Sequence, residues 1–471
     1  LELNENLRRR LVEGLSAWAE AATVMKRRYL AVSSIRSVEE LSAAFPRDLR
    51  DQFKGYVNDT PMADFVALVV ERMLADQEIT EDVDEHLIEL LGFQDGAAIA
   101  TSIVEAIESL PWSYAFAVPL PASLEAAMPP HGVWALSDNV RLATGVGFTG
   151  TYRTATEFGI FRTMNRLFGT EPKARSYLVV DVEGLFERYT PTRTHLKAVE
   201  HVKSVLGLMM ALGLLRYRYS WQKDEAKTEG HINRRHADGT YKAEHAAPFN
   251  ASTSEALRML QFEPPAGSNV EASWPNLVGR HLNDVKRVLA DAAHRRRLLL
   301  AAKWYFDSFT GDSELLRYVQ AMVSLEILVG EENKAAYEKI GIGELMRNRV
   351  AYLIGRNTDE RAEIMENFTK LYDVRSRIVH RGHSDLSQEE KHHLFTLRSY
   401  CARVIRAEVR QLPGAVDFDD NWPDAILEPP TAPNPLQPMI DAIAEIAPAE
   451  LAGEAAAIIS EAEVEGETHD P

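Results

Sequence analysis

The chain is expected to be mainly helical, with a mixed α+β N-terminal region and a helical bundle towards its C-terminal end. Three observations predict this. Apolar residues recur at three- to four-residue spacing through most of the 471 residues. Short alternating segments bounded by Gly and Pro break that pattern only between residues 111 and 250. From Asn276 to Leu412, five helical stretches follow one another with short connections, as in a bundle.

Residues 1–110 read as a helical region. Leu7, Leu11, Leu15, Trp18 and Ala22 form a one-sided stripe, with Arg8, Arg9 and Arg10 mostly on its solvated side. Met62 to Leu74, Glu85 to Leu91 and Ala97 to Leu110 repeat the pattern, with Gly92 and Pro111 as stops. Residues 111–270 form the α+β region. Ser113 to Leu120, Gly132 to Leu136, Val140 to Leu142 and Ser176 to Val182 read as strands, and Thr194 to Leu215 as a helix. Gly145, Gly147 and Gly150 do not spell GxGxxG between a strand and a helix, so they read as turns rather than as a phosphate cradle.

Residues 216–250 read as a polar excursion, two strands with an exposed tip. Basic residues there alternate with Tyr217, Tyr219, Trp221 and Tyr241, a mixture that can grip phosphates and stack bases. Arg216, Arg218, Lys223, Arg234 and Arg235 are therefore candidate RNA contacts, against the simpler reading of a solvated surface. His231, His236 and His245 match no metal-ligand spacing, and no metal or other cofactor is expected.

Pro264 to Ser268 reads as a linker. The bundle, residues 276–412, is expected to hold helices over Leu282–Phe306, Leu315–Val329, Ile342–Ile354, Asp359–Arg381 and Ser387–Leu412. Residues 413–471 are a proline-rich acidic tail, expected to be partly disordered.

Bulk properties narrow the function. One cysteine, Cys401, rules out a disulfide framework and a cysteine-rich zinc site, and reads as a core residue. No run of about 20 apolar residues is present, and the first residues carry charges instead of a signal-peptide core, so a cytoplasmic protein without a membrane partner is expected. The net charge of −18 misleads about partners: fourteen acidic residues and no Lys or Arg lie in 413–471, leaving the other 412 residues near neutral. Residues 295–412 hold twenty Lys and Arg against seventeen Asp and Glu, which is compatible with a polyanionic substrate.

The segment Tyr372 to Gly382 stands out chemically. Ile364, Phe368, Leu371 and Ile378 share a helical stripe that has Arg375 in its middle, and a guanidinium there is costly unless it is paired or set at a cleft. Arg375 and His380 lie five residues apart, about 140° around a straight helix. Gly382 reads as the helix stop. An Arg paired with a carboxylate and a His near a helix end also occur in many purely structural bundles.

The surrounding bundle resembles the Apea-like branch of the HEPN domains. Leu315 to Leu328 resembles the family's first long helix, with Glu326 at its acidic position. Leu345 to Ile354 resembles the second, Leu371 to His380 the signature helix, and Leu394 to Ala407 the closing one. The match covers about a quarter of the chain and says little about residues 1–270. The resemblance implies a homodimer or higher even oligomer, in which the motif Arg and His of two protomers meet at one cleft. It implies a metal-independent endoribonuclease, with Arg375 and His380 as catalytic residues and Glu326, Ser376 and Arg377 in support. Ser376 departs from the Asn, Asp or His frequent there in active members. Arg381 and His383 are further candidate RNA contacts; His392 and His393 read as helix-surface histidines, or as a second shell around the RNA.

The chemistry suits these residue types. RNA is cut when its own 2′-hydroxyl attacks the adjacent phosphate. Histidine moves the proton, and a guanidinium stabilises the more anionic phosphorane. The expected function is thus an endoribonuclease of the toxin or antiphage kind, with an N-terminal region that senses a trigger or binds a protein partner. The alternative is a non-catalytic HEPN scaffold that dimerises or binds RNA. A third reading, an independent enzyme in the N-terminal region, finds no nucleotide loop, metal run or nucleophile elbow.

Overall fold

A computed structural model describes residues 1–25, 29–57, 61–75, 84–125, 128, 132–153, 176–187, 191–218, 229–262, 270–330, 341–381 and 385–414. These residues are mainly helical and contain a six-stranded antiparallel sheet.

The chain begins with α1 (Glu5–Ala21), capped by Asn4, whose side chain accepts from the Leu7 amide. Strands β1 (Thr23–Met25) and β2 (Tyr29–Leu30) follow, then α2 (Val32–Glu39), α3 (Arg47–Tyr56) and α4 (Pro61–Ala75). Strand β3 (Glu85–His86) pairs with β1 to complete a small sheet, ahead of α5 (Leu87–Leu91) and α6 (Ala97–Glu108). This small sheet was not legible in the sequence, and it shortens the helix expected from Glu85. Gly92 does end α5, with φ of +72°.

The central sheet is built from β4 (Trp112–Pro119), then, after α7 (Ala122–Glu125), β5 (Val133–Ser137) and β6 (Val140–Ala143). Helix α8 (Gly145–Thr151) precedes β7 (Tyr177–Gly184), and α9 (Arg193–Ala211) and β8 (Arg216–Tyr217) precede β9 (Glu229–Arg235) and β10 (Tyr241–Pro248). The sheet order is β10-β9-β4-β7-β6-β5. Trp112, Tyr114, Phe116, Val180 and Ile232 share the face that joins the main core. The opposite face is small: Ala115, Ala117, Ala143 and Val179 pack under Phe148, Tyr152 and Tyr177.

Two expectations fail here for stated reasons. Gly145, Gly147 and Gly150 lie in α8 rather than in turns, because Thr144 caps the helix through the Gly147 amide. Residues 229–248 do form the two strands expected but are not an exposed excursion: β9 pairs with β4 over Tyr114↔Arg234 to Ala117↔His231, and Ile232 and Asn233 are buried, while the expected tip at 219–228 lies outside the described residues. The pairing partner lies more than 100 residues away, beyond the reach of local pattern.

The chain continues through α10 (Ala251–Met259) and β11 (Leu260–Gln261), which pairs with β8. The bundle follows: α11 (Val270–Ala290), α12 (Arg295–Thr310), α13 (Glu314–Val329), α14 (Ile342–Ile354), α15 (Thr358–Arg381) and α16 (Gln388–Arg410). The single helix expected over Leu282–Phe306 is two. Asp291 breaks it by accepting the amides of Ala293 and His294 at 2.9 and 2.8 Å, which restarts the chain as α12.

Helix α9 ties the sheet to the bundle. At Gly207 the Ala302 carbonyl of α12 approaches so closely that an added Cβ would lie 1.9 Å from its oxygen. Beside this contact, buried Asp307 receives Lys203 of α9 at 2.9 Å and Lys303 at 3.0 Å. Within the bundle, buried Arg398 donates to the Ser308 carbonyl and lies 4.1 Å from the Phe309 ring centroid. Cys401 is a core residue, its thiol against the Ala321 carbonyl. No helix among the described residues is long and apolar enough to cross a membrane.

Candidate functional site

Helix α15 begins with Asn357, whose side chain accepts the Glu360 amide at 2.9 Å. Glu360 in turn takes Arg356 and Arg403, which hold its carboxyl down at about 2 despite the opposing effect of burial. The inward stripe is Ile364, Phe368, Leu371 and Val374, all buried, while Ile378 is only partly so. Each such fully buried side chain contributes roughly 1.5–3 kcal/mol, enough to fix which way the rest of the helix faces. Tyr318 of α13 adds a directional lock, its hydroxyl donating to the Leu371 carbonyl at 3.0 Å.

That orientation sets Arg375 at the edge of the stripe, facing α13. Its guanidinium lies 3.2 Å from Glu326, and both side chains are 24% exposed. The close Glu326 oxygen is buried and accepts no hydrogen bond, so the contact is a charge pairing rather than a directed bond. Burial holds the Glu326 carboxyl above its ordinary range, with Arg375 pulling the other way. Tyr372 flanks the pair, its ring centroid 5.9 Å from the Arg375 guanidinium carbon. Gly343 at the start of α14 makes room for that ring: an added Cβ would stand 2.8 Å from it.

The other predicted site residues separate into groups. Glu326 and Arg375 come together. Ser376 is half-buried on α15. Arg377 turns towards α16 and meets buried Glu390 at 2.8 Å. Glu390 also closes the capping box that starts α16, with its carboxylate on the Ser387 amide, so Arg377 braces the helix junction. His380 is exposed in the last turn of α15 and is not brought to Arg375 within one chain. Arg381 ends the helix. Gly382, His383 and Lys223 lie outside the described residues. His392 and His393 line a groove of about 370 Å³ between α15 and α16, with Glu363 and Lys370.

The basic set from residues 216–250 does not converge. Arg216 and Arg218 belong to β8 and the residue after it, whereas Arg234 and Arg235 end β9 in the central sheet. Sequence reasoning missed the partners of the latter pair. Trp112, Arg72 and Glu244 gather around Arg234 from three distant parts of the chain. It also missed Arg141, which pairs with Asp181 and donates to the Tyr152 hydroxyl at 2.9 Å on the small face of the sheet. Only a strand register shows either cluster.

Comparison with protein-family models, curated proteins and solved structures finds no match to the chain.

Proposed function

We propose that the chain is a metal-independent HEPN-type endoribonuclease whose site is completed by a second copy across a dimer interface. The observation that carries this reading is the placing of Arg375. It is a partly buried guanidinium beside Glu326, on a helix whose exposed His380 lies about 140° round and roughly 7.5 Å further along. A phosphate held by Arg375 is out of line with His380 of the same helix, so the proton-transfer group comes from a partner. Arg375 binds the scissile phosphate and steadies the phosphorane; His380 moves a proton at the attacking or leaving oxygen. A toxin or antiphage effector, triggered through the N-terminal region, is the biological setting this reading carries from the family resemblance.

The test is cleavage of single-stranded RNA by the purified chain with EDTA present, beside Arg375→Ala and His380→Ala. The expected result is 2′,3′-cyclic-phosphate ends from the wild type, none from either variant, and an intact DNA of the same sequence. Equal cleavage by all three proteins would overturn the assignment.

One observation favours a second reading, a non-catalytic bundle that dimerises or holds RNA. Arg375 is already paired within its own chain, and Arg377 is spent on Glu390. That reading expects self-association or RNA binding with no cyclic-phosphate product.

A further inference from the structure

The end of the central sheet carries a second arginine cluster. Arg72, in the last turn of α4, makes a two-pronged contact with Glu244 of β10, each distance 2.6 Å. Its guanidinium carbon lies 4.3 Å from the Trp112 ring centroid, and that of Arg234 lies 3.8 Å from the same centroid. Glu244 is therefore committed to Arg72. Arg234 has the indole against it but no hydrogen-bonding or ion-pair partner among the described residues, although it is half-buried. Burial and then the nearby Arg72 work against the Arg234 charge and outweigh the favourable pull of Tyr114 and Glu244. A guanidinium with five donors, stacked on one side and open to solvent on the other, is a site poised for an anion.

The surroundings say which anion. Arg234 and Arg235 line one open cleft of about 330 Å³ together with Ser113 and His236. Lys242 stands opposite Arg234 in the β9–β10 register. Of the carboxylates beside the cleft, Glu108 takes Arg8 at 3.3 Å, whereas Asp238 accepts the Thr240 hydroxyl and amide, which hold its carboxyl below the usual range and keep it charged. Against that one negative charge stand Arg234 and Arg235, with Lys242 on the neighbouring strand, so the cleft keeps a net positive charge. Trp112 is only 5% exposed, so it offers no face for stacking a base. Recognition falls on the charged group and not on a nucleobase.

We propose that this cleft, where Arg234 rests on Trp112 beside Arg235, binds a phosphomonoester group. Two forked donors and a histidine suit a dianion with three free oxygens. The group belongs either to a free nucleotide or to the 5′ end of an RNA strand. The site is separate from α15 and stands whether or not α15 cuts RNA.

The experiment is calorimetric titration of the full chain with inorganic phosphate, adenosine, AMP, and one single-stranded RNA carrying either a 5′-phosphate or a 5′-hydroxyl. Phosphate, AMP or the phosphorylated RNA is expected to bind, and adenosine is not. Arg234→Gln and the exposed Arg235→Gln should each weaken binding by about tenfold or more, and Arg234→Lys should fall between. AMP binding as tightly as the phosphorylated RNA assigns the site to a nucleotide; tighter RNA binding assigns it to a strand end. The proposal is overturned if none of the three phosphate-bearing probes binds. It is also overturned if a folded Arg235→Gln protein binds as the wild type does, or if adenosine matches AMP and 5′-hydroxyl RNA matches 5′-phosphorylated RNA.

Discussion

Replacing Asp307 by alanine should loosen the joint between the sheet and the bundle more than any nearby surface change. Asp307 is 5% exposed and carries Lys203 and Lys303, one on each oxygen. The variant leaves two mostly buried ammonium groups facing one vacated space. At a separation of roughly 6 Å and an effective dielectric constant of about 20, their repulsion alone is ~3 kcal/mol. Removing one partner of a buried ion pair typically costs about 3–5 kcal/mol. Lys303 also has Glu200 at 3.8 Å, and both lysines have some access to water, so a loss of about 3 kcal/mol is expected. Urea unfolding measures it as a lower midpoint at unchanged slope. A second change isolates the cause. In the Asp307→Ala background, Lys203→Met removes one of the opposed charges and should restore part of the loss, where independent effects would add. A stability within ~0.5 kcal/mol of wild type for Asp307→Ala, or no recovery in the double variant, would refute the reasoning.

Two further outcomes follow from the same region and from the acidic edge of α4. Gly207→Ala should destabilise by about 1–3 kcal/mol in thermal or urea unfolding, because its methyl group would displace the Ala302 carbonyl of α12. Glu187 is pushed up to about 7 from 4.5 by burial first and then by Asp64 and Glu71, so its ionised form costs the folded state stability above pH 7. As pH falls through 7 the folded chain takes the proton before the unfolded one does, and the cost is relieved. Glu187→Gln should therefore stabilise the protein at pH 8 and lose that advantage near pH 4. The full displacement converts to ~3.4 kcal/mol, and screening of this half-exposed group reduces the expected gain to about 1 kcal/mol. A gain that persists unchanged at pH 4 would show that titration is not the cause.

The bundle was the most legible part of the chain because its information is local. The observed bounds of α13, α14, α15 and α16 fall within two residues of those read from apolar spacing. The break between α11 and α12 escaped because the apolar period runs straight through it. Only the Asp291 side chain, binding two amides, stops the helix. The sheet was half legible. β4, β5, β6 and β7 alternate visibly, but β9 and β10 are rich in charged and polar residues; β9 is held by pairing with β4 across the chain, and β10 by pairing with β9. For the same reason the Arg72, Trp112, Arg234 and Glu244 cluster has no signature in sequence. Each member is unremarkable until the register brings them together. Arg375 was legible as an anomaly on an apolar stripe; its carboxylate neighbour entered through the family resemblance, and the distance between them needed the fold.

The two arginine clusters differ in a way that bears on what each can hold. Arg375 has a carboxylate of its own at 3.2 Å, and Arg234 has none among the described residues. An anion arriving at Arg375 meets the Glu326 charge at close range and must compete with it. Burial already favours the protonated form of Glu326, and losing its hold on Arg375 would favour that form further. Anion binding on α15 is therefore linked to proton uptake and strengthens as pH falls. Near Arg234 the carboxylate of Glu244 is held by Arg72 at 2.6 Å, and no proton need move. On these grounds an anion placed at the α15 arginine would be held in a pH-dependent way, and one placed at the β9 arginine would not.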